Sequence, residues 1–322
     1  MLTELLVPVD GSALADAAVP RAIEIAQGLH GTLHLVRVHV PAPVLVAPPE
    51  AGIVLPDPTW DAQFREEQRA WLAGRAREIS ARAGLRVTWE LRVGNAVDEI
   101  VEVAAERHVR AIVCGTHGAG GWAPHWLGSV ADGLVRRAPC PVLAMSEAAA
   151  ARPADVRKIL VLLDGSDESG TILSHATWLA RSTGAELELM RVVAPLWSDA
   201  TSPAFSASRE DPLGVDAFAE SAKLALDTLA AELRHQGFKV RSIVQIAQNP
   251  ARTILDHIKE SDPDVVAMAT HGRGMSRLFL GSVADKILRA SGRPTLLYRP
   301  RLPGARHALK EREYAAMASS VA

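Results

Sequence analysis

The chain of 322 residues reads as two tandem α/β domains. Each is an open, doubly wound five-stranded parallel sheet of order 3-2-1-4-5 with helices on both faces. Three observations predict this. Asp10-Gly11-Ser12 returns as Asp164-Gly165-Ser166, an offset of 154 (164 − 10), and Gly115-Thr116-His117-Gly118 returns as Ala269-Thr270-His271-Gly272 at the same offset. Beyond that motif Gly128-Ser129 returns as Gly281-Ser282 at an offset of 153, so the second copy is one residue shorter between them. A period this long exceeds the roughly 20–50 residues of solenoid units and fits whole domains. Finally, short apolar runs alternate with segments of helical period, as a parallel sheet covered on both faces requires.

The elements follow in order. Residues 5–9 form an apolar strand, 13–27 a helix capped by the Asp10-Gly11-Ser12 turn, and 33–40 a second strand. A helix over about 60–82, a strand over 87–93, a helix over 96–107, a strand over 111–115, a helix from Ser129 and a strand over 142–145 complete the first half. In the third helix Val97, Ile100, Val101 and Ala104 make one apolar stripe, which Ala251, Ile254, Leu255 and Ile258 repeat. The last strands, 142–145 and 295–298, would otherwise leave unpaired sheet edges, so the two halves are expected to join there as a pseudo-dimer. Domain boundaries are placed at 1–147 and 156–301, with a charged, Ala-rich tail over 302–322.

Composition narrows the function. A formal charge of −2 argues against a general attraction to nucleic acid or to an anionic membrane. The N-terminus carries no secretory pattern and no apolar run reaches the roughly 20 residues of a membrane span, which leads to the expectation of a cytoplasmic protein. Two cysteines, Cys114 and Cys140, are too few for a disulfide framework or a thiolate metal site. The segments 41–58 and 194–212 are long connections beside the strand ends.

The candidate site gathers at the carboxyl ends of the first and fourth strands, which flank the switch point of this strand order. Asp10 stands where a carboxylate can accept hydrogen bonds from ribose hydroxyls. Gly115 and Gly118 let main chain approach phosphates closely, and Gly128-Ser129 opens a helix whose first N–H groups and dipole favour an anion. His117 and His271 lack companion ligands at metal-site spacing, so loop hydrogen bonding or phosphate contact is their expected role. The Asp-Gly-Ser turn alone would be an ordinary helix cap; its placement with the glycine loop, twice, points to a ligand.

These motifs resemble the universal stress protein family. Its nucleotide-binding members carry Gly-x-x-Gly, nine residues, then Gly-Ser or Gly-Thr, matched by Gly115, Gly118, Gly128 and Ser129, with Val130-Ala131-Asp132 and Ala138-Pro139-Cys140-Pro141-Val142-Leu143 following. The second half offers Thr270-His271-Gly272-Arg273-Gly274 and Gly281-Ser282-Val283-Ala284-Asp285. The resemblance implies ATP binding, with Mg accompanying the phosphates and ADP or AMP as alternatives. Asp10 would hold the ribose, main chain near Val9 and Val40 would lie beside adenine, and the glycines with Ser129 and Val130 would surround the phosphates. In the second half Asp164, Val193, Thr270, His271, Gly272, Gly281, Ser282 and Val283 carry these positions. Ala269 in place of the first glycine, and the shorter loop, are expected to restrict backbone there and to move the helix start away from the phosphates.

Three functions compete: a regulatory module whose conformation or protein partner responds to ATP, a slow ATP hydrolase, and a nucleotide-free scaffold. The chain has no Gly-x-x-x-x-Gly-Lys-Ser/Thr loop, no clear carboxylate pair for Mg and no obvious base beyond Asp10. The regulatory module fits best, with homodimerisation as a further expectation.

Overall fold

A computed structural model describes residues 3–41, 58–116, 127–194, 212–270 and 281–300. The first half runs β1 (Glu4–Pro8), α1 (Ala13–Gly28), β2 (Thr32–His39), α2 (Pro58–Ala83), β3 (Arg86–Val93), α3 (Ala96–Glu106), β4 (Ala111–Gly115), α4 (Ser129–Arg137) and β5 (Val142–Met145). A single turn, α5 (Glu147–Ala150), leads to the second half: β6 (Lys158–Leu162), α6 (Asp167–Gly170), α7 (Leu173–Thr183), β7 (Glu186–Val193), α8 (Pro212–His235), β8 (Val240–Ile246), α9 (Pro250–Ser261), β9 (Val265–Ala269), α10 (Ser282–Ala290) and β10 (Thr295–Tyr298).

Strand order is β3-β2-β1-β4-β5 in the first half and β8-β7-β6-β9-β10 in the second, all parallel within a half, as the sequence predicts. β5 and β10 then pair antiparallel, with Thr295 opposite Ala144, Leu296 opposite Leu143 and Leu297 opposite Val142. Ten strands therefore form one sheet. Because the seam is antiparallel, the carboxyl ends of the first five strands and of the last five point to opposite edges of the molecule.

Alternation along the strands divides the core into two layers. Leu5, Val7, Leu33, Leu35, Leu143, Leu296 and Val161 meet α1, α2, α7 and α8 on one face, and Leu6, Val36, Ile112, Leu160 and Leu297 meet α3, α4, α9 and α10 on the other. Both layers run across the seam. The α3 stripe differs slightly from expectation: Ile100, Val103 and Ala104 are its buried residues, while Val97 packs against Gly133 of α4, where a Cβ would stand 2.6 Å from a Val97 methyl. Val103 is matched in α9 by buried His257, which meets Glu188 of β7 at 3.1 Å, so the second half exchanges an apolar contact for a buried pair.

Main chain between the halves is tied to α1. Arg21, 1% exposed, donates to the carbonyl oxygens of Pro153 (2.6 Å), Asp155 (3.2 Å) and Ala154, and Glu24 accepts from the Val156 amide at 2.7 Å. At the far end of α1, Gly28 lies against the Ser182 carbonyl of α7 so closely that any side chain would collide with it. Burial pushes the Arg21 pKa down, and Glu24, Asp264 and Asp155 raise it.

Candidate functional site

Asp10 follows β1 by one residue beyond Val9 and is exposed, whereas Val9 is buried and its amide donates to the Val36 carbonyl at 2.9 Å. Asp10 Oδ1 accepts the Ser12 amide at 2.9 Å, and Ser12 Oγ caps α1 by accepting the Ala15 amide at 3.2 Å. The bland reading of this motif, a turn and a cap, is thus real. It also fixes the carboxylate at the end of β1, because Gly11 takes φ +87°, a conformation that a side chain would strain.

The same turn recurs more tightly in the second half. Asp164 Oδ1 accepts from both the Ser166 amide (2.9 Å) and its hydroxyl (2.6 Å), the Asp164 amide donates to Ser169 Oγ at 3.3 Å, and Asp164 is half-buried. The helix that follows breaks after one turn at Gly170 and resumes as α7, where α1 is continuous. One carboxylate oxygen of Asp164 thus carries two local bonds from Ser166.

Across the switch point, Thr116 continues β4 by donating its amide to the Met145 carbonyl at 2.8 Å, and its own carbonyl accepts the Gly128 amide at 2.7 Å. Thr270, 2% exposed, repeats both bonds, with Tyr298 at 2.9 Å and Gly281 at 3.0 Å. The start of each helix is therefore fastened to the end of its strand in the same way, although the second connection is one residue shorter. This corrects the expected displacement of Gly281-Ser282: the missing residue falls within 271–280, outside the described residues, and the ends do not move apart. Gly115 corrects the second expectation. It is a strand residue without positive φ, so Ala269, also within a strand, meets no backbone restriction at that position.

Gly128 and Gly281 are the N-caps of α4 and α10, and neither helix has a side-chain cap bond. Ser129 and Ser282 are exposed at the first helical position, and Val130 and Val283 are half-buried behind them. Early amides of a helix lack intrahelical partners and suit an anion. Acidic Asp132 lies in that turn, yet Arg136 binds it at 2.8 and 2.9 Å; Asp285 and Arg289 do the same at 2.8 and 2.7 Å. These pairs blunt the negative charge that would otherwise oppose a phosphate.

Val40 lies just past β2 and is 63% exposed, while Val193 ends β7 at 3% exposed with its carbonyl accepting the Ala247 amide at 3.0 Å. They are not counterparts, since Val193 matches His39. His117, Gly118, His271 and Gly272 lie outside the described residues, as do most of the two long connections and the tail. Sequence reasoning missed the group beside Val40: buried His39 binds Asp61 at 2.7 Å and Gln68 at 3.3 Å, and meets Phe64 edge to face, which stacks on exposed Trp60. The one available signal was the cluster of aromatic residues opening α2.

Cys114 is buried and its thiol is pushed up to about 12, as an inert packing residue requires. Among the described residues no group of three His, Cys, Asp or Glu could hold a metal, and no helix is long and apolar enough to cross a membrane.

Comparison with known proteins agrees with this architecture. A universal stress protein of Mycobacterium tuberculosis is 31% identical over 304 residues, covering 92% of this chain and 96% of the relative. One from Mycolicibacterium smegmatis is 29% identical over 308 residues, with 92% and 97% covered. The crystal structure of a universal stress protein from Archaeoglobus fulgidus superposes with a TM-score of 0.66 at 19% identity, covering 92% of this chain and 98% of that one, and shares the fold. The model of the universal stress protein family matches residues 1–146 and again 155–299. A repeat that fills the chain, the strand order of each half and these two matches place the chain in the universal stress protein family, in tandem form.

Proposed function

We propose that the chain is a nucleotide-binding regulatory protein of the stress response, in which ATP in the first-half crevice biases conformation or the affinity for a protein partner. In this reading the Asp10 carboxylate accepts from ribose, main chain around Val9 and Val40 borders adenine, and Gly115, Gly128, Ser129 and Val130, with Gly118 and His117, surround the phosphates. One observation carries it. The exposed Asp10 turn and the open start of α4 flank the β1/β4 switch point, and the Gly128–Thr116 bond fixes the helix start to its strand. A carboxylate for sugar and a helix terminus for phosphate are the two chemistries that a nucleotide needs.

The second-half crevice, with Asp164, Val193, Thr270, Gly281, Ser282 and Val283, is the weaker site because its carboxylate is engaged by Ser166 and half-buried. Two domains, 1–147 and 156–301, act as an intramolecular pseudo-dimer. Acid denaturation of the purified protein, followed by chromatography of the supernatant, tests the reading: about one adenine nucleotide per chain is expected, and a chain that neither releases one nor binds added ATP overturns it.

A further inference from the structure

Arg37 of β2 and Arg191 of β7 stand at matching positions, 154 apart (191 − 37), on the sheet face covered by α2 and α8. Each guanidinium lies over an aromatic ring of that helix. Arg37 Cζ is 4.8 Å from the centre of the Trp71 ring, and Arg191 Cζ is 5.8 Å from the centre of Phe218. The two platforms are not counterparts: Phe218 matches Phe64, and Trp71 stands seven residues, about two turns, further along the helix. One geometry is therefore reached from two different helical positions.

Each guanidinium also lies beside the Asp-Gly-Ser turn. A methyl on Gly11 would come to 3.7 Å from Arg37 Nη1, and one on Gly165 would overlap the Arg191 guanidinium. Both glycines hold nearly the same left-handed φ, +87° and +83°. Burial lowers the Arg37 pKa, and the Asp10 carboxylate raises it. The Arg37 guanidinium stacks on Trp71, and the charge of Asp10 acts on it. A planar guanidinium suits the Trp71 face better than an ammonium, which cannot spread over an indole ring.

We propose that Arg37 and Arg191 are positioning residues, each set between an aromatic platform and the Asp-Gly-Ser turn, and that Arg37 fixes the turn that carries the Asp10 carboxylate at the crevice mouth. Its consequence for ligand binding rests on the nucleotide reading above. The clamp itself does not, since it acts in the empty protein.

The test uses the full chain with two readouts. In the ligand-free protein, Asp10 carboxyl carbon shifts are followed by NMR against pH: R37M is expected to raise the Asp10 midpoint, R37K to restore much of the wild-type value, and W71L to give an intermediate effect. With ATP, calorimetry should show R37M binding about tenfold more weakly, R37K recovering part of the loss, and R37M adding little on top of D10A. An unchanged Asp10 midpoint in a folded R37M protein overturns the proposal; if R37M does not fold, an unchanged midpoint in a folded W71L protein overturns it. Should the wild type bind no nucleotide, the functional reading fails while the carboxylate titration still decides the clamp.

Discussion

Arg21 Nη2 lies 2.6 Å from the Pro153 carbonyl oxygen, and this bond joins the middle of α1 to the chain that connects the two halves. The same helix begins at the Ser12 cap, eight residues from Pro20 and within the turn that carries Asp10. A rigid element thus runs from the candidate ligand site to the joint. Any shift of the Asp10 turn that tilts α1 would be felt at residues 153–156.

Replacing Arg21 with Met is expected to destabilise the chain by about 2–3 kcal/mol, because three main-chain carbonyls lose a charged donor, Glu24 loses its cation and the buried side chain loses its polar partners. Urea unfolding followed by tryptophan fluorescence measures it. A midpoint within error of the wild type would show that these contacts contribute nothing to stability.

Asp10→Ala should weaken ATP binding about tenfold to a hundredfold with little change in melting, since it removes a hydrogen bond to a charged group on an exposed side chain. Asp164→Ala should do the reverse. It breaks the two bonds that close the Ser166 turn, costing about 1–2 kcal/mol of stability, and changes total ATP binding by less than Asp10→Ala. Titration calorimetry and thermal melts on both variants decide; a larger binding loss at Asp164 would assign the stronger site to the second half.

Acid should destabilise the fold between about pH 6.5 and 4 through His175. Burial, with repulsion from the Arg110 guanidinium, holds its pKa down to about 4 against 6.5 for an open imidazole. The unfolded chain takes up a proton in that window while the native chain does not, so stability falls with falling pH, by about 1–2 kcal/mol after allowance for partial exposure. His34, lowered chiefly by burial, acts in the same direction. Denaturant midpoints at several pH values should show the slope, and His175→Phe, which keeps a ring beside Tyr298, should flatten part of it.

Separately expressed halves, 1–150 and 151–301, should form a one-to-one complex when mixed, because β5 and β10 each expose an apolar edge when alone. Sedimentation at micromolar concentration reads this directly. Two species that stay monomeric and apart would show that the seam holds only when the chain is continuous.

Much of the fold was legible because the sequence states it twice. Apolar runs at 5–9 and 111–115 lie within one residue of β1 and β4, and Asp10 and Gly128 recur with their neighbours, so element type and strand order followed from the repeat. The site was less legible wherever it depended on distance across the fold. Gly115 looked like a residue needing positive φ, but a glycine in a strand has the same letter as one in a turn. Arg37 carried no motif, and only the packing of Trp71 over it shows its place. The shorter second loop suggested a displaced helix, yet one main-chain bond from Gly281 to Thr270 holds the ends together whatever the length between.

The antiparallel seam between β5 and β10 changes the thermodynamics of having two sites. Two separate copies would dissociate on dilution, and any substitution would appear in both at once. Joined through residues 146–157, the halves meet at an effective concentration fixed by the connection, independent of how much protein is present. Fusion also releases each half from identity with the other, so that a change tolerated on one side leaves its twin untouched. The Ser166 hydroxyl bond to Asp164, the broken helix behind it and the His257–Glu188 pair are differences of that kind, which a symmetric assembly of identical copies could not carry on one side alone.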